Sequence, residues 1–234
     1  MIVLGLDTSA GACSAAVLGD DGRVRARQRR ILARGHAEVL MPMLQEVLAE
    51  AALDFTALDL LAVTTGPGTF TGIRIGLAAA RGLALASGLP LLGVTSLDAV
   101  AAAVPAEARA GRFLLVAIDS RRDDLFVQAY GTDDEPLGPA QAVAATHLTT
   151  VAPPGDILVA GDAAERAAAI LLASGRAAAL AGDCGPPDAA EVAQLARRRW
   201  RPDRPVPLPL PTYLRAPDVT LPAAAGPAPG GRWP

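Results

Sequence analysis

The stretch Thr64-Thr65-Gly66-Pro67-Gly68-Thr69-Phe70-Thr71-Gly72-Ile73-Arg74-Ile75-Gly76 joins an apolar run over residues 58–64 to an apolar helical pattern over residues 73–87. Its glycines permit backbone angles that other residues resist, and Pro67 sets one turn dihedral while giving up a donor that a turn can spare. A helix that starts after such a loop presents free amides and the positive end of its dipole, as at many phosphate sites. Three roles fit this loop: an anion cradle, a platform for a partner, and a tight turn whose glycines only serve close packing. It is not a Walker-type loop, because that chemistry needs Gly-Lys-Ser/Thr and all 21 basic residues of the chain are arginine.

Before the loop, residues 2–6, 13–18 and 24–31 read as strands of a meander, with Gly19-Asp20-Asp21-Gly22 as a turn. A helix is expected over residues 36–52, with Leu40, Leu44, Val47, Leu48 and Ala51 on one face and a kink at Pro42. After the loop helix comes a short strand, residues 91–94. Three strands followed by alternating helix and strand predict a mixed α/β sheet.

The second half repeats the opening. Residues 114–118 form an apolar strand ending in Asp119-Ser120, and residues 125–130 a strand ending in Gly131-Thr132-Asp133-Asp134. The spacing from Asp7 is 119 − 7 = 112, and from Gly19 it is 131 − 19 = 112, which favours a duplicated lobe over coincidence. Two such lobes imply a cleft. Further on, residues 157–160 read as a strand, Gly161-Asp162-Ala163 as a turn, and residues through 172 and over 188–200 as helices. We expect an N-terminal lobe over residues 1–105, a C-terminal lobe over 106–215 and a disordered tail over 216–234.

The chain has 234 residues, 51% of them hydrophobic, enough for a sizeable core. Its net charge of −3 argues against a protein whose main task is to coat nucleic acid or anionic lipid. Cys13 and Cys184 lie far apart, so neither a zinc site nor a disulfide framework is indicated. The first residues lack a basic segment before their apolar run, and no uncharged run reaches membrane-spanning length, so a cytoplasmic protein without membrane association is expected.

Five segments together resemble the TsaB family, formerly called YeaZ: Ile2 to Ser9, Arg34-Gly35-His36-Ala37-Glu38-Val39-Leu40-Met41-Pro42, the block GPGTFTGIRIGLAAARGLA, Asp119-Ser120-Arg121-Arg122-Asp123, and Tyr213-Leu214-Arg215. The resemblance runs in register over roughly the first 130 residues, and the GPGTFTGIR block is its specific part. It implies an actin-like (ASKHA) α/β fold of two duplicated ribonuclease-H-like lobes, in agreement with the repeat. It also implies a subunit of the bacterial machinery that makes threonylcarbamoyladenosine on tRNA, with TsaD and the ATPase TsaE as partners, a homodimer when TsaD is absent, and tRNA engaged mainly through the complex.

In the paralogue TsaD, the resemblance places two metal-binding histidines after the loop helix. The corresponding stretch here is Thr95-Ser96-Leu97-Asp98-Ala99-Val100, where Ser96 and Val100 supply no imidazole. We therefore expect no catalytic residue, no metal and no required cofactor, with ATP or ADP binding at the level of the complex. Weak or vestigial nucleotide contact is assigned to Asp7, Thr8, Ser9, Gly66 and Gly68; for Asp7 a structural role at the strand end fits equally. The expected partner interface comprises His36, Leu40, Leu44, Val47, Arg74, Ile75, Ala79 and Gly82, with His36 read as a helix-start or interface residue rather than a ligand.

Arg23, Arg25, Arg27 and Arg29 recur at every second position of the third strand. Protection of an edge strand by solvated charge is preferred over contact with tRNA phosphate. The expected function is a non-catalytic scaffold that activates TsaD for transfer to the adenosine next to the anticodon of tRNAs reading codons that begin with A. The alternatives are an actin-like kinase or metallopeptidase, and a direct tRNA-binding module.

Overall fold

A computed structural model describes residues 1–133, 135–182 and 185–215. The expected tail and Cys184 lie outside the described residues. Strands β1 (Val3–Asp7), β2 (Ala12–Leu18) and β3 (Val24–Ile31) form the meander. Helix α1 (His36–Glu50) follows and continues through Pro42. Strand β4 (Leu60–Thr64) leads through the glycine-rich loop to α2 (Phe70–Ser87), then β5 (Leu91–Val94), α3 (Ser96–Ala102) and the short α4 (Ala106–Arg109). Helix α2 begins three residues earlier than expected, because the Thr69 side chain caps it by accepting from the Gly72 amide. Helix α3 was not anticipated; Thr95 caps it in the same way, accepting from the Asp98 amide.

The second half contains β6 (Phe113–Asp119), β7 (Asp124–Tyr130), β8 (Gln141–Ala144), α5 (Leu148–Val151), β9 (Ile157–Ala160), α6 (Ala164–Ala173), β10 (Ala178–Leu180) and α7 (Ala189–Arg199). There are two five-stranded sheets, ordered β3-β2-β1-β4-β5 and β10-β9-β6-β7-β8. Reversed, the second order reads β8-β7-β6-β9-β10, the first with each strand replaced by its counterpart. In both sheets the first three strands in sequence pair antiparallel, and the later two add parallel to the first. Adding 112 to the bounds of β2, 12 and 18, gives those of β7, 124 and 130.

Each lobe gives its last helix to the other. Helix α3 follows β5 yet packs on β6 and β7, whereas α7 follows β10 and packs on β1, β2 and β4. Val192, Ala193 and Ala196 of α7 bury against Val3, Leu18, Leu60 and Ala62 of the first sheet. Leu97, Val100 and Ala101 of α3 bury against Leu114, Val116 and Phe126 of the second. The side of the first sheet away from α7 is covered by α1 and α2, through Leu40, Met43, Leu44, Val47, Ile73 and Leu77.

The arginine stripe serves this packing. Strand β3 is an edge strand, and Arg27 meets Asp188 at 2.8 Å with Arg29 at 4.0 Å from the same carboxylate, at the start of α7. Arg25 pairs with Asp20 at 2.6 Å and Arg30 with Glu46 at 3.1 Å. At the other end of α7, Arg197 donates to the Gly19 and Asp20 carbonyls at 3.0 and 2.6 Å, and Arg199 pairs with Asp98 of α3 at 2.9 Å.

Candidate functional site

The glycine-rich loop and the turn between β1 and β2 fill each other's space. A Cβ on Gly68 would lie 2.1 Å from the Ser9 carbonyl oxygen, and one on Gly72 the same 2.1 Å from that of Thr8. The Thr69 amide donates to the Ser9 carbonyl at 2.7 Å, and the Thr8 hydroxyl donates to the Gly72 carbonyl at 2.7 Å. Close packing is thus what these two glycines do, since any side chain there would displace backbone.

Asp7, at the end of β1, has 0% exposure. Its Oδ1 accepts from the Ser9 amide at 3.0 Å and from the hydroxyls of Ser9 and Thr64 at 2.6 Å each. The Ser96 hydroxyl donates to that of Ser9 at 2.8 Å, while Oδ2 of Asp7 is buried with no hydrogen-bond partner. Burial pushes the Asp7 carboxyl up to about 6, outweighing the hydrogen bonds from Ser9 and Thr64 that pull it down. The expected nucleotide residues Asp7, Thr8, Ser9, Gly66 and Gly68 do come together, the first four buried and Gly68 half-buried against Ser9 at the edge of the groove between the lobes. A metal and phosphate group does not fit at this turn: the carboxylate has no solvent face, and the Thr69 amide and the Thr8 hydroxyl already bond within the chain. Ser96 serves the Asp7 cluster and Val100 the core, at the two positions where the resemblance places histidines in the paralogue.

His36 is buried, with Nε2 3.2 Å from the Ala10 carbonyl, so that nitrogen carries the proton and ties α1 to the β1–β2 turn. The expected interface needs correction on this face. Leu40, Leu44 and Val47 lie inside the chain's own core, because an amphipathic helix turns its apolar stripe inward, and His36 is sequestered with them. Arg74 and Gly82 are exposed, and Ile75 and Ala79 are half-buried at the edge of α2. The exposed face beside them holds Ala78, Gly82 and Leu85 of α2, with Leu85 at 88% exposure, and Met41 of the adjacent α1. A Cβ on Gly82 would meet no atom within 4 Å. Met41, Ala78 and Leu85 were not among the expected interface residues.

A groove of about 700 Å³ opens between the lobes, away from the Asp7 cluster. One wall is Pro67 to Phe70 with Arg74, the other is Ser120 to Arg122 with Phe126, and Thr212 to Arg215 runs along it. The Thr212 amide donates to the Thr65 carbonyl at 2.7 Å, and Arg81 of α2 donates to the Pro209 carbonyl, so this last segment is strapped to the first lobe. Phe70 and Tyr213 stack with centroids 5.4 Å apart, the Arg74 guanidinium sits 3.6 Å from the Phe70 centroid, and its Nε donates to the Tyr213 hydroxyl at 3.0 Å. Arg215 forms an ion pair with Asp124.

A family model described as TsaD, tRNA N6-adenosine threonylcarbamoyltransferase, matches residues 27–179. The structure titled YeaZ from Pseudomonas aeruginosa is 30% identical, superposes with a TM-score of 0.71 and is covered over 93% of its length by 86% of this chain. The chain belongs to the TsaB/YeaZ family. The Escherichia coli tRNA threonylcarbamoyladenosine biosynthesis protein TsaB is 38% identical to it over 134 residues, 57% of each chain. Component A of the Acidaminococcus fermentans (R)-2-hydroxyglutaryl-CoA dehydratase, 10% identical with a TM-score of 0.51 over 85% of this chain and 98% of its own, shares the fold alone. That fold is actin-like, as the family resemblance implied.

Proposed function

We propose that this TsaB-family chain acts in tRNA threonylcarbamoyladenosine biosynthesis as a non-catalytic scaffold subunit. It binds and activates TsaD for transfer of the threonylcarbamoyl group to the adenosine next to the anticodon of tRNAs that read codons beginning with A. It requires no cofactor of its own; TsaE and any ATP or ADP engage the complex, tRNA is reached through it, and two copies pair when TsaD is absent. The observation that carries this reading is the sealed Asp7 cluster, which leaves the actin-like cleft without an accessible carboxylate at its first turn. The exposed small-residue face of α2 supports the partner role, because Ala78 and Gly82 let another helix approach closely while Leu85 offers apolar area. The chain acts in the cytoplasm, as its likeness to the TsaB proteins of tRNA modification suggests; no described helix is long and apolar enough to cross a membrane.

The test is co-purification with TsaD, together with reconstitution of tRNA modification with and without the chain. Leu85→Glu and Ala78→Arg are expected to melt like the wild type, to lose TsaD and to drop modification to the level seen without the chain. Full modification in its absence would remove the scaffold role, and retained TsaD binding by both variants would remove the α2 face as its surface.

A further inference from the structure

A separate cavity of about 300 Å³ lies where the exchanged helices α3 and α7 meet. It shares no lining residue with the groove between the lobes, and none with the exposed face of α2. Asp98 of α3, Ala106 and Arg109 of α4, Tyr130 of β7, and Arg198 and Arg199 of α7 are the lining residues that matter to its chemistry. Among the described residues, three guanidiniums and one carboxylate line it. Both oxygens of that carboxylate are engaged: Oδ1 of Asp98 accepts from the Tyr130 hydroxyl at 3.0 Å, and Oδ2 from Arg199 at 2.9 Å. Arg199 thus offsets Asp98, and the charges of Arg109 and Arg198 are left in surplus on the cavity wall. Arg109 is 6% exposed, and its Nη2 donates to the Ala101 carbonyl of α3 at 2.6 Å. A guanidinium fixed in this way has little freedom left to lose when an anion arrives.

We propose that this cavity binds a compact, multiply charged oxyanion of the phosphate class, of the size of pyrophosphate, held between Arg109 of α4 and Arg198 of α7. One guanidinium fork satisfies both oxygens of a carboxylate, whereas donors from two separate elements match an anion with oxygens on several sides. A volume of about 300 Å³ stands at the small end of ligand cavities and favours a compact ion over a larger organic molecule. Because α3 packs on the second sheet and α7 on the first, the ion bridges elements that cover both lobes. Binding therefore stabilises the folded chain as the concentration of the ion rises, and it requires no partner subunit.

Titration calorimetry and thermal melting of the full chain with pyrophosphate, citrate and a tRNA transcript, at fixed ionic strength, test it. Pyrophosphate is expected to raise the melting temperature and to bind about tenfold more tightly than citrate, and Arg198→Gln, at an exposed position, to weaken that binding about tenfold. Ala106→Glu, also at an exposed position, sets a carboxylate on the cavity wall and should abolish binding. Arg25→Gln, on the β3 edge, reports general attraction to a basic surface and should change nothing. The proposal is overturned if pyrophosphate does not bind or if citrate binds as tightly. It is equally overturned if Arg25→Gln and Arg198→Gln weaken binding alike while both variants melt like the wild type without ligand. Transcript binding that Ala106→Glu removes and pyrophosphate does not displace would also overturn it, since the cavity would then hold an RNA backbone.

Discussion

The two lobes keep one hydrogen bond in common at the turn after their first strand. The Ser9 amide bonds Asp7 at 3.0 Å and the Arg121 amide bonds Asp119 at 2.8 Å, a matching pair at the 112-residue offset. Around that bond they diverge. Asp7 is sealed by hydroxyls, whereas the side chain of Asp119 is one-third exposed. Position 14 pairs with Asp7, and 14 + 112 = 126, yet Asp119 pairs with Leu125, so the second hairpin closes one residue tighter. The repeat preserves the order of strand pairing and this one turn hydrogen bond, while hairpin register and side-chain chemistry at the same place drift: one turn becomes core and the other becomes the wall of a groove.

The largest expected effect tests whether the lobes are equally intolerant at their close approaches. Gly161, with φ 111°, would put a Cβ 2.0 Å from the Ala117 carbonyl, matching the 2.1 Å approach at Gly72. Gly72→Val and Gly161→Val should each prevent folding, seen as loss of a cooperative urea transition; a folded protein from either would break the parallel. Next comes Asp7. Its carboxyl titrates near 6 in the folded chain against an ordinary 3.8, so between those values the folded state holds a proton that the unfolded state has lost. Stability should therefore rise as pH falls through that window, by about 3 kcal/mol, and Asp7→Asn should flatten the change. Parallel pH curves for the two proteins would show that the carboxyl is not held neutral. The smallest effects compare the exchanged helices. Thr95→Ala removes the cap of α3 and should cost about 1 kcal/mol in chemical unfolding. Asp188→Ala removes the cap of α7 and its arginine pairs together, and should cost about 2 kcal/mol. Equal losses would mean that the β3 arginines add nothing.

The repeat was legible because Asp7, Asp119 and the flanking glycines stand at fixed offsets, and the long apolar strands and helices announce themselves by period. Strands β8 and β10 were not: Gln141-Ala-Val-Ala144 and Ala178-Ala-Leu180 are short edge segments in which alanine carries no alternation. Helix α7 was legible as a helix but not as part of the first lobe, since nothing local marks which sheet its alanines cover. At the site, Leu40, Leu44 and Val47 misled because an apolar stripe reports burial without saying against what. Met41 and Leu85 lie within apolar runs, Val39-Leu40-Met41-Pro42-Met43-Leu44 and Leu83-Ala84-Leu85-Ala86, so nothing local marks them as the exposed members. The approach of Phe70, Arg121 and Tyr213 depends on three distant segments meeting, which no spacing encodes.

The exchange of α3 and α7 has a consequence for how the chain is made. When the first 105 residues have left the ribosome, β1 to β5 can pair, but the sheet face carrying Val3, Leu18, Leu60 and Ala62 has no cover until residue 196 emerges. The nascent N-terminal half therefore waits, with an apolar sheet face open to water or to a chaperone, until α7 has been synthesised.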